Sequence, residues 1–117
     1  GTQMIIDKVL TLSHVTWQTY REIQKLAPFG MGNPKPVFLF KNVEIKEVRQ
    51  FGKQKNHLQM FVGDETLGRV SAMKFFTLPE DFSRPLSAGL RIDLAGMLEV
   101  SYFRNTPELR LRIVDIF

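Results

Sequence analysis

Three prolines and two glycines fall within nine residues in the run Leu26-Ala27-Pro28-Phe29-Gly30-Met31-Gly32-Asn33-Pro34-Lys35-Pro36-Val37-Phe38. Proline fixes φ near −65° and removes an N–H donor, while glycine alone reaches positive φ at little cost. Such a segment is rigid and sharply bent, and it extends neither a helix nor a β-ladder. An amphipathic helical pattern leads into it, and β-type alternation follows it. The run therefore divides the chain into a lead-in of arm, helix and hinge over residues 1–36 and a β-rich part over 37–117. The two parts are expected to form one structural unit.

Upstream, Ile5, Ile6, Val9 and Leu10 suit a short extended arm. Leu12 to Leu26 reads as a helix, with Ser13 as the N-cap and Thr16 as a second candidate. Val15, Trp17, Tyr20, Ile23 and Leu26 recur near helical spacing, and Pro28 closes the element because the residue before proline avoids the α region. The Trp17/Tyr20 stripe fits packing against a neighbouring surface better than a base-stacking platform.

Downstream, five strand-like runs follow. Val37 to Val48 alternates Val43 and Ile45 with Asn42, Glu44 and Lys46. His57 to Val62 sets Leu58, Met60 and Val62 against His57, Gln59 and Phe61. Leu67 to Phe76 is the third run. Leu90 to Tyr102 carries Gly96 at its middle, where a bulge or barrel bend is expected. Leu109, Leu111 and Ile113 then alternate with Arg110, Arg112 and Val114. Between the third and fourth runs, Leu78 to Gly89 reads as a proline-bearing loop with a helical turn at Glu80-Asp81-Phe82. Five strands with short turns and a longer third connection predict a mainly β protein: a five-stranded OB-fold Greek-key barrel preceded by one N-terminal α-helix.

The 117 residues suffice for a self-supporting core. Without cysteine there are no disulfides or thiolate zinc sites. No apolar run nears the ~20 residues of a membrane span, and no secretory leader pattern opens the chain. The expectation is a cytoplasmic monomer with no membrane contact. The chain starts Gly1-Thr2-Gln3 without methionine, as an excised piece of a larger protein would.

Catalytic signatures are missing. His14 and His57 are far apart, the acids are mostly isolated, and there is no HExxH, GxSxG or P-loop. The Asp64-Glu65 pair reads as a solvated turn. The net charge of +4 favours polyanions without identifying one. Its distribution says more. Lys41, Lys46, Arg49, Lys53 and Lys55 oppose only Glu44 and Glu47, and Arg104, Arg110 and Arg112 oppose Glu108.

Barrels of this kind hold single strands with cations and stacking aromatics on their second and third strands and adjoining loops. The outward set would be His57, Gln59, Phe61, Arg69, Ser71 and Met73, with Phe51 beside Lys53 and Tyr102 beside Arg104 at strand ends. Each has a plainer reading. Phe61 suits a second packing surface, Phe51 and Tyr102 suit barrel caps, Arg110 and Arg112 suit a solvated strand face, and His57 suits a hydrogen-bonded structural role. No obvious cluster of exposed aromatics stands out, which leaves a docking or spacer module as the competing function.

The proline–glycine run resembles the LxPFGxGNPxPxF signature that opens the C-terminal OB-fold domain of RecJ-type nucleases, DHH-family exonucleases specific for single-stranded DNA. Phe51-Gly52-Lys53 with His57-Leu58-Gln59-Met60, Ala72 with Phe75, Ile92-Asp93-Leu94, and the closing run Leu109 to Ile116 are similar to later strands of that family. Arg104-Asn105-Thr106-Pro107 replaces its usual Asn-x-x-x-Gly turn, and Lys74 stands where it is commonly small or apolar. The resemblance implies the DNA-capturing domain of a 5′-to-3′ exonuclease of DNA repair and recombination. It implies contact with the parent's nuclease core, and Mn²⁺ or Mg²⁺ held in a DHH domain outside this chain, with no cofactor in the chain itself. The candidate DNA contacts are Arg49, Phe51, Lys53, Lys55, His57, Gln59, Phe61, Arg69, Tyr102, Arg104, Arg110 and Arg112.

Overall fold

A 14-residue strand organises the molecule. In the computed structural model, which describes residues 6–117, β2 (Phe38–Phe51) is long enough to serve both halves of a barrel. Its first half pairs antiparallel with β5 (Arg91–Ser101), from Phe38 opposite Gly96 to Glu44 opposite Arg91. Its second half pairs antiparallel with β3 (His57–Gly63), from Glu44 opposite Gly63 to Phe51 opposite His57. β3 pairs with β4 (Val70–Lys74), β4 runs parallel to β6 (Glu108–Ile116), and β6 returns antiparallel to β5. The β2–β5 ladder closes the circuit. The three-residue β1 (Lys8–Leu10) adds in parallel to the start of β2. Ile5, expected in the same arm, lies outside the described residues.

Alternation decides which side chains go inside. Phe40, Val43, Ile45, Leu58, Met60, Val62, Leu94, Leu111 and Ile113 are fully or almost fully buried and form one cluster. Gly96 lies at a register shift in the β5–β6 ladder, where a Cβ would sit 3.1 Å from the Arg112 carbonyl oxygen. The bulge expected there is present, and its tight approach explains the glycine.

The lead-in departs from the periodicity. α1 covers only Trp17–Gln24. Thr16 is its N-cap, with its hydroxyl accepting the Thr19 amide at 3.2 Å. Ser13 caps nothing and belongs to a separate 3₁₀ turn at Leu12–His14. The reason is tertiary: Leu12 is fully buried in the barrel core, so the first turn is held against the barrel instead of continuing into α1. Val15, Tyr20 and Ile23 pack against that core from outside, as the packing reading of the stripe requires, whereas Trp17 and Leu26 of the same stripe stay exposed. After α1 the Asn33 side-chain amide donates to the carbonyls of Leu26 and Pro28, at 2.6 and 3.0 Å. One side chain thus satisfies two backbone groups left over by the proline–glycine run.

β4 is also shorter than the expected Leu67–Phe76. Its entry is consumed by the Asp64 turn, where Asp64 Oδ1 accepts the amides of Thr66 and Leu67. Its exit ends before Phe76, which has φ of 52° and leaves the extended region. The third connection contains a 3₁₀ turn at Pro79–Asp81, capped by Asp81 accepting the Leu78 amide. No helix among the described residues is long and apolar enough to cross a membrane.

Candidate nucleic-acid interface

The outward residues of four adjacent strands form one face, and the registers fix its rows. Glu47, Phe61 and Ser71 lie side by side on β2, β3 and β4. The next row is Arg49, Gln59, Met73 and Arg112, reaching β6. Phe51 and His57 begin the third, which Phe75 completes just beyond β4. The face thus brings together Arg49, Phe51, His57, Gln59, Phe61, Arg110 and Arg112 from the sequence expectations, with Arg69 at its border. Met73, expected among the outward residues, is only 2% exposed although it lies outside the core cluster. It makes the floor of the face, not a contact point on it.

The arginines are not bare cations. Arg49 Nε and Arg69 Nη2 share the Glu47 carboxylate at 2.6 and 2.9 Å. Those bonds, first from Arg69 and then from Arg49, hold the Glu47 carboxyl below its usual pKa. The Arg69 guanidinium lies over the Phe61 ring, 3.8 Å from its centroid, with Arg49 5.7 Å away. On the β5–β6 side Glu99 repeats the pattern. It binds Arg110 Nε at 2.5 Å and Arg112 Nη2 at 3.0 Å. Arg112 in turn sits 4.6 Å from the Phe75 ring centroid. Arg110 and Arg112 are therefore paired and half-buried, not a free solvated row.

One end of the face is aromatic. The His57 ring lies 5.2 Å from Phe51, 5.1 Å from Phe75 and 4.7 Å from Phe76. Its Nδ1 accepts the Phe76 amide at 2.9 Å, so the neutral ring carries its proton on Nε2. Phe76 is 78% exposed. The structure thus supplies the aromatic cluster that the sequence did not display. Phe76 escaped notice because alternation along the expected run Leu67 to Phe76 assigns it to the inward side, whereas its φ of 52° takes it out of the strand, and Phe75 because it stood out only through the family resemblance.

The adjoining β2–β3 turn carries Lys53 and Lys55. Gly52 has φ of 93°, and a Cβ there would stand 2.6 Å from His57 Cδ2. Glycine is thus required both by the turn and by the ring packed on it. The Gln50 side chain donates to the Lys55 carbonyl at 2.8 Å and braces the turn. Among the described residues neither Lys53 nor Lys55 has a carboxylate within ion-pair distance.

Tyr102 and Arg104 stand apart from that cluster. Because β6 runs parallel to β4, the β5–β6 turn lies at the opposite end of the face from the β2–β3 turn. Tyr102 is 74% exposed and Phe103 is 93% exposed. Phe103 was missed because the strand pattern ends before it.

Among the described residues no three histidine, aspartate or glutamate side chains converge as a metal site would require. His14 bonds to Thr11, and Asp64 is spent on backbone amides. The residues present do not fit the metal ions that the resemblance implies for the parent.

Comparison with known proteins agrees with this architecture. The family model described as the RecJ OB domain matches residues 6–115. The single-stranded-DNA-specific exonuclease RecJ of Bacillus subtilis (strain 168) is 28% identical over 110 residues, covering 94% of this chain but 14% of the relative. The crystal structure of RecJ in complex with Mg²⁺ from Thermus thermophilus matches with a TM-score of 0.67 at 23% identity, covering 95% of this chain and 16% of that one. The corresponding Mn²⁺ complex matches with a TM-score of 0.68 at 23% identity, covering 96% and 15%. At that identity the superpositions show a shared fold. With the barrel in place and the family model spanning nearly all the described residues, the chain belongs to the RecJ OB domain family.

Proposed function

We propose that this chain is the single-stranded-DNA-binding domain of a RecJ-type 5′-to-3′ exonuclease that acts in DNA repair and recombination. The observation that carries the reading is the four-strand face, in which Phe61, His57 and Phe75 alternate with Arg49, Arg69 and Arg112 between two turns bearing Lys53, Lys55, Tyr102 and Arg104. Stacking rings beside cations suit a flexible strand with unpaired bases. Hydrolysis belongs to a nuclease core outside the chain that holds Mn²⁺ or Mg²⁺, and the Thermus relative has been crystallised in complex with each of these ions. The barrel over 37–117 holds the strand, and the segment over 1–36 sets its orientation on that core. The domain acts as a cytoplasmic monomer.

Fluorescence anisotropy of a labelled single-stranded oligonucleotide across a salt series, with duplex as control, tests this. Salt-sensitive binding that favours the single strand is expected. No binding at low salt would overturn it.

A second reading has its own support. Trp17, Leu26 and Met31 are exposed apolar residues of the lead-in, with Met31 at the tip of the proline–glycine loop. They suit a docking module that positions the nuclease core without touching DNA. Under that reading Trp17→Ala abolishes assembly with the core while the isolated domain ignores DNA.

A further inference from the structure

We propose that the Arg69 guanidinium, laid over Phe61 and tethered by Glu47, is the platform on which an unpaired nucleobase stacks. This rests on the reading of the face as a single-strand binding surface, and it assigns the contact that selects unpaired bases. A guanidinium 3.8 Å from a ring centroid covers that face of the ring. A base cannot reach this side of Phe61 while Arg69 is in place. Arg69 itself remains 54% exposed along its side chain, so an incoming ligand can reach it where it covers the ring.

Electrostatics favour the same use. Glu47, shared with Arg49, compensates part of the charge and takes up the Nη2 donor, which weakens Arg69 as a phosphate ligand. The free flat surface of a guanidinium is weakly hydrated, and bases stack on it. A tether at one edge and a ring beneath hold that plane before any ligand arrives, so little rotamer freedom is lost on binding. Arg112, over Phe75 and bound to Glu99, repeats the arrangement nearer the aromatic end. Paired bases keep their faces inside the duplex stack, so a platform of this kind discriminates by strandedness and not by sequence.

Two oligonucleotides of equal length separate base contacts from phosphate contacts: labelled oligothymidylate and an abasic strand with the same backbone. Affinities are measured for the 117-residue chain and for Arg69→Lys, Arg69→Gln and Phe61→Leu, after their thermal transitions have been recorded. Lysine keeps the charge and loses the plane. Arg69→Lys is expected to weaken oligothymidylate binding roughly tenfold, to leave the abasic strand unchanged, and to leave the salt slope unaltered. Phe61→Leu is expected to lower the same base-dependent increment.

Full retention by Arg69→Lys, with equal weakening on both strands and a slope lowered by ~0.7 for Arg69→Gln, would make Arg69 a phosphate ligand and overturn the proposal. Weakening in Phe61→Leu with none in Arg69→Lys would assign the platform to the ring and overturn it as well. Failure of the unaltered chain to bind either strand would instead remove the DNA-binding reading on which the proposal stands.

Discussion

Asp64 Oδ2 accepts the backbone amide of Leu12 at 2.8 Å, joining the β3–β4 turn to the start of the helical lead-in. Its second oxygen holds the Thr66 and Leu67 amides, and the Thr66 hydroxyl accepts the Ser13 amide at 3.0 Å. The turn is thus both a strand connection and a clamp on the segment that inserts Leu12 into the core. Asp64→Ala leaves these three carboxylate-bound amides without their acceptor and is expected to cost about 1–3 kcal/mol. Hydrogen exchange checks it: the Leu12 amide should lose protection more than amides in β5. Unchanged protection at Leu12 would show that burial alone holds the segment.

The same residue sets an acid limit. Burial acts to raise the Asp64 pKa, but hydrogen bonds from the Thr66 hydroxyl and the Leu12, Thr66 and Leu67 amides outweigh it, leaving it below the ordinary 3.8. A group whose folded pKa is depressed contributes its full stability above the unfolded value and loses it as pH falls through the folded one. Glu47 and Glu44 are lowered too, mainly by Arg69 and by Lys46. The melting temperature should therefore be flat near neutral pH with respect to these groups and fall below about pH 4. In Asp64→Asn that acid-induced fall should be shallower than in the unaltered chain.

Lys53 and Lys55 are the unpaired cations of the β2–β3 turn among the described residues. Replacing both with alanine should lower the single-strand salt slope by ~0.7 for each phosphate that a lysine neutralises. The melting temperature should hardly change, since neither side chain holds a carboxylate. An unchanged slope would place the phosphates elsewhere on the face.

Glu99 acts in the opposite sense. Its carboxylate occupies Arg110 and Arg112 and so competes, under the proposed function, with any phosphate for them. Glu99→Gln is expected to tighten single-strand binding and steepen the salt slope by up to ~0.7. The melting temperature should fall, because two half-buried guanidinium groups lose their counter-charge. Weaker binding in this variant would mean that Glu99 holds the arginines in the geometry that binds.

Much of this molecule is legible in the chain. The apolar positions Leu58, Met60 and Val62 alternate as they are buried, and Leu111 and Ile113 do the same. Gly96 marks its bulge, and the prolines mark the end of the lead-in. These are local rules of period and backbone freedom. What stayed hidden depends on register. Glu47 meets Arg69 only because β2 pairs with β3 and β3 with β4 as they do, and Glu99 meets Arg112 only across the β5–β6 ladder. The order of residues therefore names Arg49, Arg69, Arg110 and Arg112 as cations without showing that each is already partnered. The sequence offers both Ser13 and Thr16 as N-caps and ranks Ser13 first, because the capture of Leu12 by a distant turn, which starts the helix at Trp17, is a tertiary effect that local periodicity does not show.

Asn33 braces the proline–glycine loop with a single side-chain amide, and the residue after it is Pro34. Asparagine ages by deamidation when the following backbone nitrogen attacks the side-chain carbonyl. The nitrogen of proline carries no hydrogen, so that cyclisation is blocked at Asn33. The brace on which the loop depends is thereby protected from the slow chemistry that would turn an amide donor into a carboxylate and set it against the carbonyls of Leu26 and Pro28.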